Sequence, residues 1–146
     1  IIKIASIIFF IGFLIPGFDY RYDWSNVPVA LVIASDIFVF LGYLLFRFVL
    51  KENSYASRTI EVEQGQKVIM TGPYKIIRHP MYLGVILMFL LTPLALGSSW
   101  ALIAFLPLIP LIVLRILNEE KVLVNELSGY KEYCQKTRYR LLPFIW

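Results

Sequence analysis

The single histidine of the chain, His79, stands in the run Gly72-Pro73-Tyr74-Lys75-Ile76-Ile77-Arg78-His79-Pro80-Met81-Tyr82-Leu83-Gly84. An imidazole, a guanidinium and two phenols meet there, where a charged stretch gives way to a hydrophobic one. In a membrane protein such a junction lets a water-soluble cofactor meet a lipid-soluble substrate. His79-Pro80 also has the grammar of a helix start, because proline in the first turn lacks only an N–H that would have no partner there. The free N–H groups and partial positive charge of that helix end face the preceding loop and suit an anion such as a carboxylate. Tyr82 then shares a face with His79, one turn along, and Tyr74 sits just before the helix. The structural alternative is that His79 caps the helix and the tyrosines anchor it at the interface.

A second group follows in Arg115-Ile116-Leu117-Asn118-Glu119-Glu120 and Gly129-Tyr130-Lys131-Glu132-Tyr133. Arg115 and Glu119 are spaced to share one helix face. Their simplest role is a mutual ion pair worth about 0.2–0.5 kcal/mol. Beside a ligand, the acid suits an ammonium or a ribose, and the aromatic faces suit a cation.

The elements that must hold these groups are apolar. The 146 residues are 59% hydrophobic and 16% charged, too apolar for a soluble globule of one-domain length. Four apolar runs cover 1–15, 27–50, 81–96 and 100–117. About 20 helical residues cross a hydrocarbon core, and the second run is long enough outright. Gly97-Ser98-Ser99 permits a tight hairpin between the third and fourth. These runs predict an all-α integral membrane protein, a single domain over 1–146. It has about four transmembrane helices, with N-terminal helices in 1–50 and a catalytic core in 51–146. The hairpin places the His79 and Arg115 groups on the same membrane side, side by side.

The first run begins at Ile1 without an initiator methionine, and no small-residue cleavage site follows it. It is expected to be a truncated transmembrane helix with residues missing upstream, not a signal peptide. Ile15-Pro16-Gly17-Phe18-Asp19 reads as its stop, and 16–28 as an interfacial connection bearing Tyr20, Tyr22 and Trp24. Asp36, at bilayer depth in the second helix, is expected to bond a neighbouring helix. The polar stretch 51–75 is a long cytoplasmic cofactor loop, with a turn at Glu63-Gln64-Gly65-Gln66. Pro107 and Pro110 are expected to kink the fourth helix. Residues 115–133 are expected to continue as an amphipathic C-terminal helix, with Leu117, Val122, Val124 and Leu127 inward and Glu119, Glu120, Lys121 and Glu126 outward.

Arg47, Lys51, Arg58, Lys67, Lys75 and Arg78 lie on or near the 51–80 connection, and Lys121, Lys131, Lys136, Arg138 and Arg140 follow the last helix. By the positive-inside bias the active site and C-terminus face the cytoplasm. The net charge of +4 follows from that bias and implies no nucleic-acid partner. One histidine and one cysteine, Cys134, leave too few ligands for a zinc site, so no metal is expected.

The pattern G-P-Y-x₃-R-H-P-x-Y-x-G, with the Arg115–Glu120 and Gly129–Tyr133 elements after it, resembles the integral-membrane methyltransferases. That group includes the isoprenylcysteine carboxyl methyltransferases and the phospholipid methyltransferases, in a compact microbial form. The resemblance covers roughly 53–146. It implies S-adenosyl-L-methionine as cofactor, held by Gln66, Lys67, Val68, Ile69, Tyr74, His79, Pro80, Met81, Tyr82 and Glu119. It makes Arg115 the acceptor-binding residue and, with Glu119, a catalytic one. The implied reaction is methyl transfer to a lipophilic small molecule or lipidated acceptor in the bilayer, most like isoprenylcysteine carboxyl O-methylation. Phospholipid N-methylation is the alternative within that class. An NADPH-dependent membrane reductase is the alternative from another class, since sterol and enone reductases place helices and cytoplasmic loops similarly. That reading wants several basic residues for the cofactor's extra phosphate, and the 66–82 stretch offers only Lys67, Lys75 and Arg78. A non-catalytic membrane scaffold is the third reading.

Overall fold

The computed structural model describes residues 2–55 and 61–146, so Arg58, counted above among the orienting charges, lies outside the described residues. Among the described residues six α-helices follow in order: α1 (Ile2–Tyr22), α2 (Val29–Glu52), α3 (Pro80–Ala95), α4 (Ser99–Phe105), α5 (Leu108–Glu126) and α6 (Tyr130–Lys136). A 3₁₀ turn, Gly72–Lys75, precedes α3. The fold is all-α; among the described residues the only strand-like pairing is one isolated bridge, Ile77 to Tyr139.

Among the described residues three stretches are long and apolar enough to cross a membrane: Ile2–Tyr22, Val29–Glu52 and Ser99–Glu126. The protein is an integral, multi-pass membrane protein. Pro80–Ala95 is apolar but shorter. Large apolar side chains on α1 and α2 such as Phe10, Ile33 and Phe40 are exposed, as lipid contact requires.

Helices α2 and α3 meet backbone to backbone at two glycines. A Cβ on Gly42 would stand 2.8 Å from Leu87 Cβ and 3.0 Å from the Gly84 carbonyl; one on Gly84 would stand 3.0 Å from the Gly42 carbonyl. Small residues allow such close approach, which is how helices gain packing energy in lipid. Gly42→Leu is therefore expected to push α2 off α3 and cost about 1–3 kcal/mol by overpacking. Thermal unfolding in detergent measures it. Gly17→Ala, whose new methyl meets nothing within 4 Å, is the control.

Several expectations change here. Pro16 does not stop the first helix, which runs on to Tyr22. Proline is tolerated inside a membrane helix when neighbours satisfy the freed backbone groups. Asp19 thereby becomes a buried helical residue, not part of a connection. Its carboxylate accepts from Ser25 N (2.8 Å), Ser25 Oγ (2.5 Å) and the Ser98 hydroxyl. Ser98 Oγ in turn accepts from Ala101 N at 3.1 Å and caps α4. One acid thus ties the α1–α2 loop to the α3–α4 turn.

Asp36 is exposed on α2 and not turned toward a neighbouring helix. Pro107 interrupts the fourth run, dividing it into α4 and α5, whereas Pro110 falls in the first turn of α5 and is accommodated there. The helix expected over 115–133 ends at Glu126. Gly129, at φ +84°, turns the chain into α6, a conformation that favours glycine. Glu120, expected outward, is buried.

Candidate active site

Two clefts meet at one tyrosine. The polar cleft, about 810 Å³ counting its open mouth, lies at the start of α3. The loop 61–69 forms one wall, and α5 and α6 form the other. The apolar groove, about 1030 Å³ counting its open side, runs along α1, α3 and α5. Ile2, Phe9, Val85, Leu111 and Ile112 line it. Tyr82 lines both.

The Tyr82 hydroxyl is held from two sides. It donates to Glu119 Oε2 at 2.6 Å and accepts from Arg115 Nε at 2.8 Å. Arg115 and Glu119 thus share a face, as their spacing requires, and meet at this third residue. Glu119 faces the polar cleft and Arg115 the apolar groove.

His79 starts α3 without capping it through its side chain. Its carbonyl accepts from Tyr82 N at 3.1 Å, and its Nε2 lies 3.2 Å from Glu120 Oε1. Glu120 also faces two guanidiniums: Arg78 Nε at 3.2 Å and Arg140 Nε at 2.8 Å. The backbone reinforces this node, because Arg78 N and His79 N donate to Tyr139 O and Arg140 O, each at 2.9 Å. The tail after α6 is thereby strapped across the entry to α3. Part of the helix end expected to receive an anion is occupied by the protein itself.

The loop wall is anchored to the helices at both ends. Thr71 Oγ1 donates to Glu52 Oε2 at 2.6 Å, and Asn53 Nδ2 donates to the Tyr74 hydroxyl at 2.8 Å. Tyr133 Oη and Thr137 Oγ1 both donate to the Tyr74 carbonyl, at 2.8 and 3.2 Å. The turn expected at 63–66 closes by Gln66 N to Glu63 O at 3.0 Å, with Gly65 at φ +80°. Val62, Val68 and Ile69 pack against Val49, Leu127, Tyr130 and Tyr133. Burial raises the phenol pKa values of Tyr74, Tyr130 and Tyr133, so each is a neutral hydroxyl donor at physiological pH.

Of the residues expected at the site, Gln66, Lys67, Val68, Ile69, Tyr74, His79, Met81, Tyr82 and Glu119 all line the polar cleft. Pro80 is buried as the first residue of α3 and lies outside that lining. Arg115 belongs to the apolar groove. Asn53, Tyr130 and Tyr133 line the polar cleft and were not expected there, although both tyrosines lie within Gly-Tyr-x-x-Tyr; Arg78, expected near a cofactor only under the reductase alternative, lines it as well. Lys75 is absent from the lining. Among the described residues no group of three or more His, Cys, Asp or Glu is placed to hold a metal ion.

Residues 29–128 match the model of a family described as phospholipid methyltransferase. The chain belongs to that family. Its similarity to individual proteins points elsewhere. It is 28% identical over 141 residues to the Delta(14)-sterol reductase TM7SF2 of Mus musculus, covering 87% of this chain and 33% of that protein. It is 26% identical over 146 residues to the Delta(14)-sterol reductase of Arabidopsis thaliana, covering 92% of this chain and 39% of that protein. The chain therefore spans between a third and two-fifths of the length of these curated relatives.

These relatives overturn the expected reaction. Both are named as reductases, and each match covers more of the chain than the 29–128 of the family model. Methyl transfer of the isoprenylcysteine carboxyl type, and S-adenosyl-L-methionine as its cofactor, are corrected accordingly. The physical reason for the error is that the motif specifies a helix start beside a polar cleft. Such a cleft admits more than one soluble cofactor.

Proposed function

We propose that the chain is a membrane reductase that saturates a carbon–carbon double bond in a lipophilic, sterol-like substrate, with NADPH as hydride donor. The observation that carries this reading is the position of Tyr82, which lines both a polar cleft and an apolar groove and holds its hydroxyl between Glu119 and Arg115. Reduction across a double bond needs a hydride at one carbon and a proton at the other. A donor poised between a soluble cofactor and a lipid-borne substrate meets that need.

The donor set of the polar cleft fits such a cofactor. Lys67 and Arg78 suit its phosphates, Asn53 and Gln66 its ribose hydroxyls, and Tyr74 and Tyr133 its flat rings. When bound, NADPH supplies the hydride. The remaining work falls to side chains of this chain. The apolar groove takes the substrate from the bilayer and excludes water from it. Tyr82 Oη gives up the proton, and Arg115, which already donates to that oxygen, stabilises the resulting phenolate. Glu119, which accepts from the Tyr82 hydroxyl and faces the aqueous cleft, takes up a proton from water there and relays it to the phenolate. The catalytic portion is assigned to residues 51–146.

The cleft is proposed to face the cytoplasm, on the strength of the Lys and Arg bias of the 51–80 connection and the tail. A cysteine introduced at Gly65 should be labelled by an impermeant maleimide from the cytoplasmic side of oriented vesicles. Labelling from the other side alone reverses the orientation.

The function itself is tested with purified protein in liposomes, a sterol carrying a Δ14 double bond, and NADPH. Nicotinamide oxidation with a product gaining two hydrogens supports the reading. Labelled methyl groups passing from S-adenosylmethionine to lipid, with no NADPH oxidised, overturn it.

A further inference from the structure

In the lining of the polar cleft, two buried donor atoms, Tyr130 Oη and Arg78 Nε, make no hydrogen bond among the described residues. Tyr130 is 4% exposed, and its hydroxyl has no hydrogen-bond partner among the described residues. Arg78, with its side chain 9% exposed, lies 3.2 Å from Glu120 by its Nε, but that contact is ionic without being a hydrogen bond. Its Nη2 donates to the Arg138 carbonyl at 3.4 Å. Both residues line the cleft, and Arg78 and Glu120 are near enough to act electrostatically on the Tyr130 phenol.

The charges of this corner do not balance. One carboxylate, Glu120, faces two guanidiniums, Arg78 and Arg140. A buried donor left unsatisfied costs stability, so such groups persist chiefly where they serve a ligand. Burial keeps the Tyr130 phenol protonated, and a protonated phenol can donate to an anionic oxygen. The rest of its ring packs against Val49, Tyr74, Leu127 and Tyr133, which fixes where that hydroxyl points.

We infer that Arg78 and Tyr130 form an anion subsite in the lining of the polar cleft, which binds phosphate oxygens of the water-soluble cosubstrate. The identification of that cosubstrate as NADPH rests on the reductase reading above; the anion subsite itself rests on the two donors and on the two guanidiniums, Arg78 and Arg140, that share the one carboxylate of Glu120. Arg78 supplies the charge and a planar donor group, and Tyr130 supplies one directed hydrogen bond.

The test uses the full chain in nanodiscs, with inorganic pyrophosphate and NADPH as separate probes. Tyr130→Phe removes one oxygen atom from a packed ring and preserves its shape. The melting temperature of the unliganded variant should stay level or rise, because an unsatisfied buried hydroxyl has been removed. Affinity for both probes should fall about tenfold or more, as expected on losing a hydrogen bond to a charged group. Arg78→Lys, which keeps the charge, should weaken both probes less than Arg78→Gln.

If pyrophosphate binds and depends on Tyr130 while NADPH is neither bound nor oxidised, the subsite stands and the reductase reading falls. If NADPH is oxidised with the same KM in wild type and Tyr130→Phe, the reading stands and the subsite falls. Equal pyrophosphate affinity in Tyr130→Phe and wild type also overturns the subsite, leaving that hydroxyl merely solvated.

Discussion

Tyr82→Phe is expected to lower turnover by about 10²–10⁴-fold, the range in which a positioned proton donor contributes. The ring remains, so its packing with Ile112, Ile116 and Leu141 should survive. What disappears is the oxygen that donates to Glu119 and accepts from Arg115. Steady-state NADPH oxidation and NADPH binding are measured side by side. A variant that binds NADPH normally and turns over slowly places the phenol in the chemical step. A variant with full turnover removes Tyr82 from chemistry and leaves it as a helix fastener. Glu119→Gln is the informative companion. It keeps a partner for the Tyr82 hydroxyl but cannot return a proton, so a smaller fall in kcat is expected than for Tyr82→Phe.

Glu120→Gln should destabilise the fold strongly, by about 3–5 kcal/mol, the usual cost of stripping one partner from a buried ion cluster. Glu120 is the single acid against Arg78, Arg140 and His79. Without its charge, two guanidiniums remain together with no counter-ion. The tail strapped over the α3 entry should loosen with them, because Arg140 belongs to that tail and its carbonyl accepts from His79 N. Thermal unfolding in detergent reads the effect, with Glu119→Gln as the adjacent control expected to unfold near wild type. Equal stability of the two variants would show that Glu120 does not hold the node together.

Much of this was legible along the chain. Long apolar runs specify membrane-crossing helices because no other open structure satisfies the backbone in lipid. His79-Pro80 marks a helix start for the local reason that proline suits the first turn. The near-contact of the 79–82 and 115–119 groups follows from a hairpin too short to separate them. The reading of Arg115 and Glu119 as face-sharing residues rests on helical geometry alone. Those inferences use interactions among residues a few positions apart, which is why they needed no tertiary information.

Other features depended on partners distant in sequence. Glu119 and Glu120 are adjacent acids of identical chemistry, yet one faces the cleft and the other lies buried against Arg78, Arg140 and His79. Nothing along α5 distinguishes them, because the difference comes from Arg140 of the tail and Arg78 before α3. Asp19 likewise reads as part of a loop until Ser98, far along the chain, gives it a reason to be buried. The motif residues themselves determined that a polar cleft opens beside a helix start. Which cofactor chemistry that cleft suits depends on how Arg78, Tyr130 and the groove behind Tyr82 are assembled. Charge and desolvation are set by neighbours in space, and only the tertiary structure decided who those neighbours are.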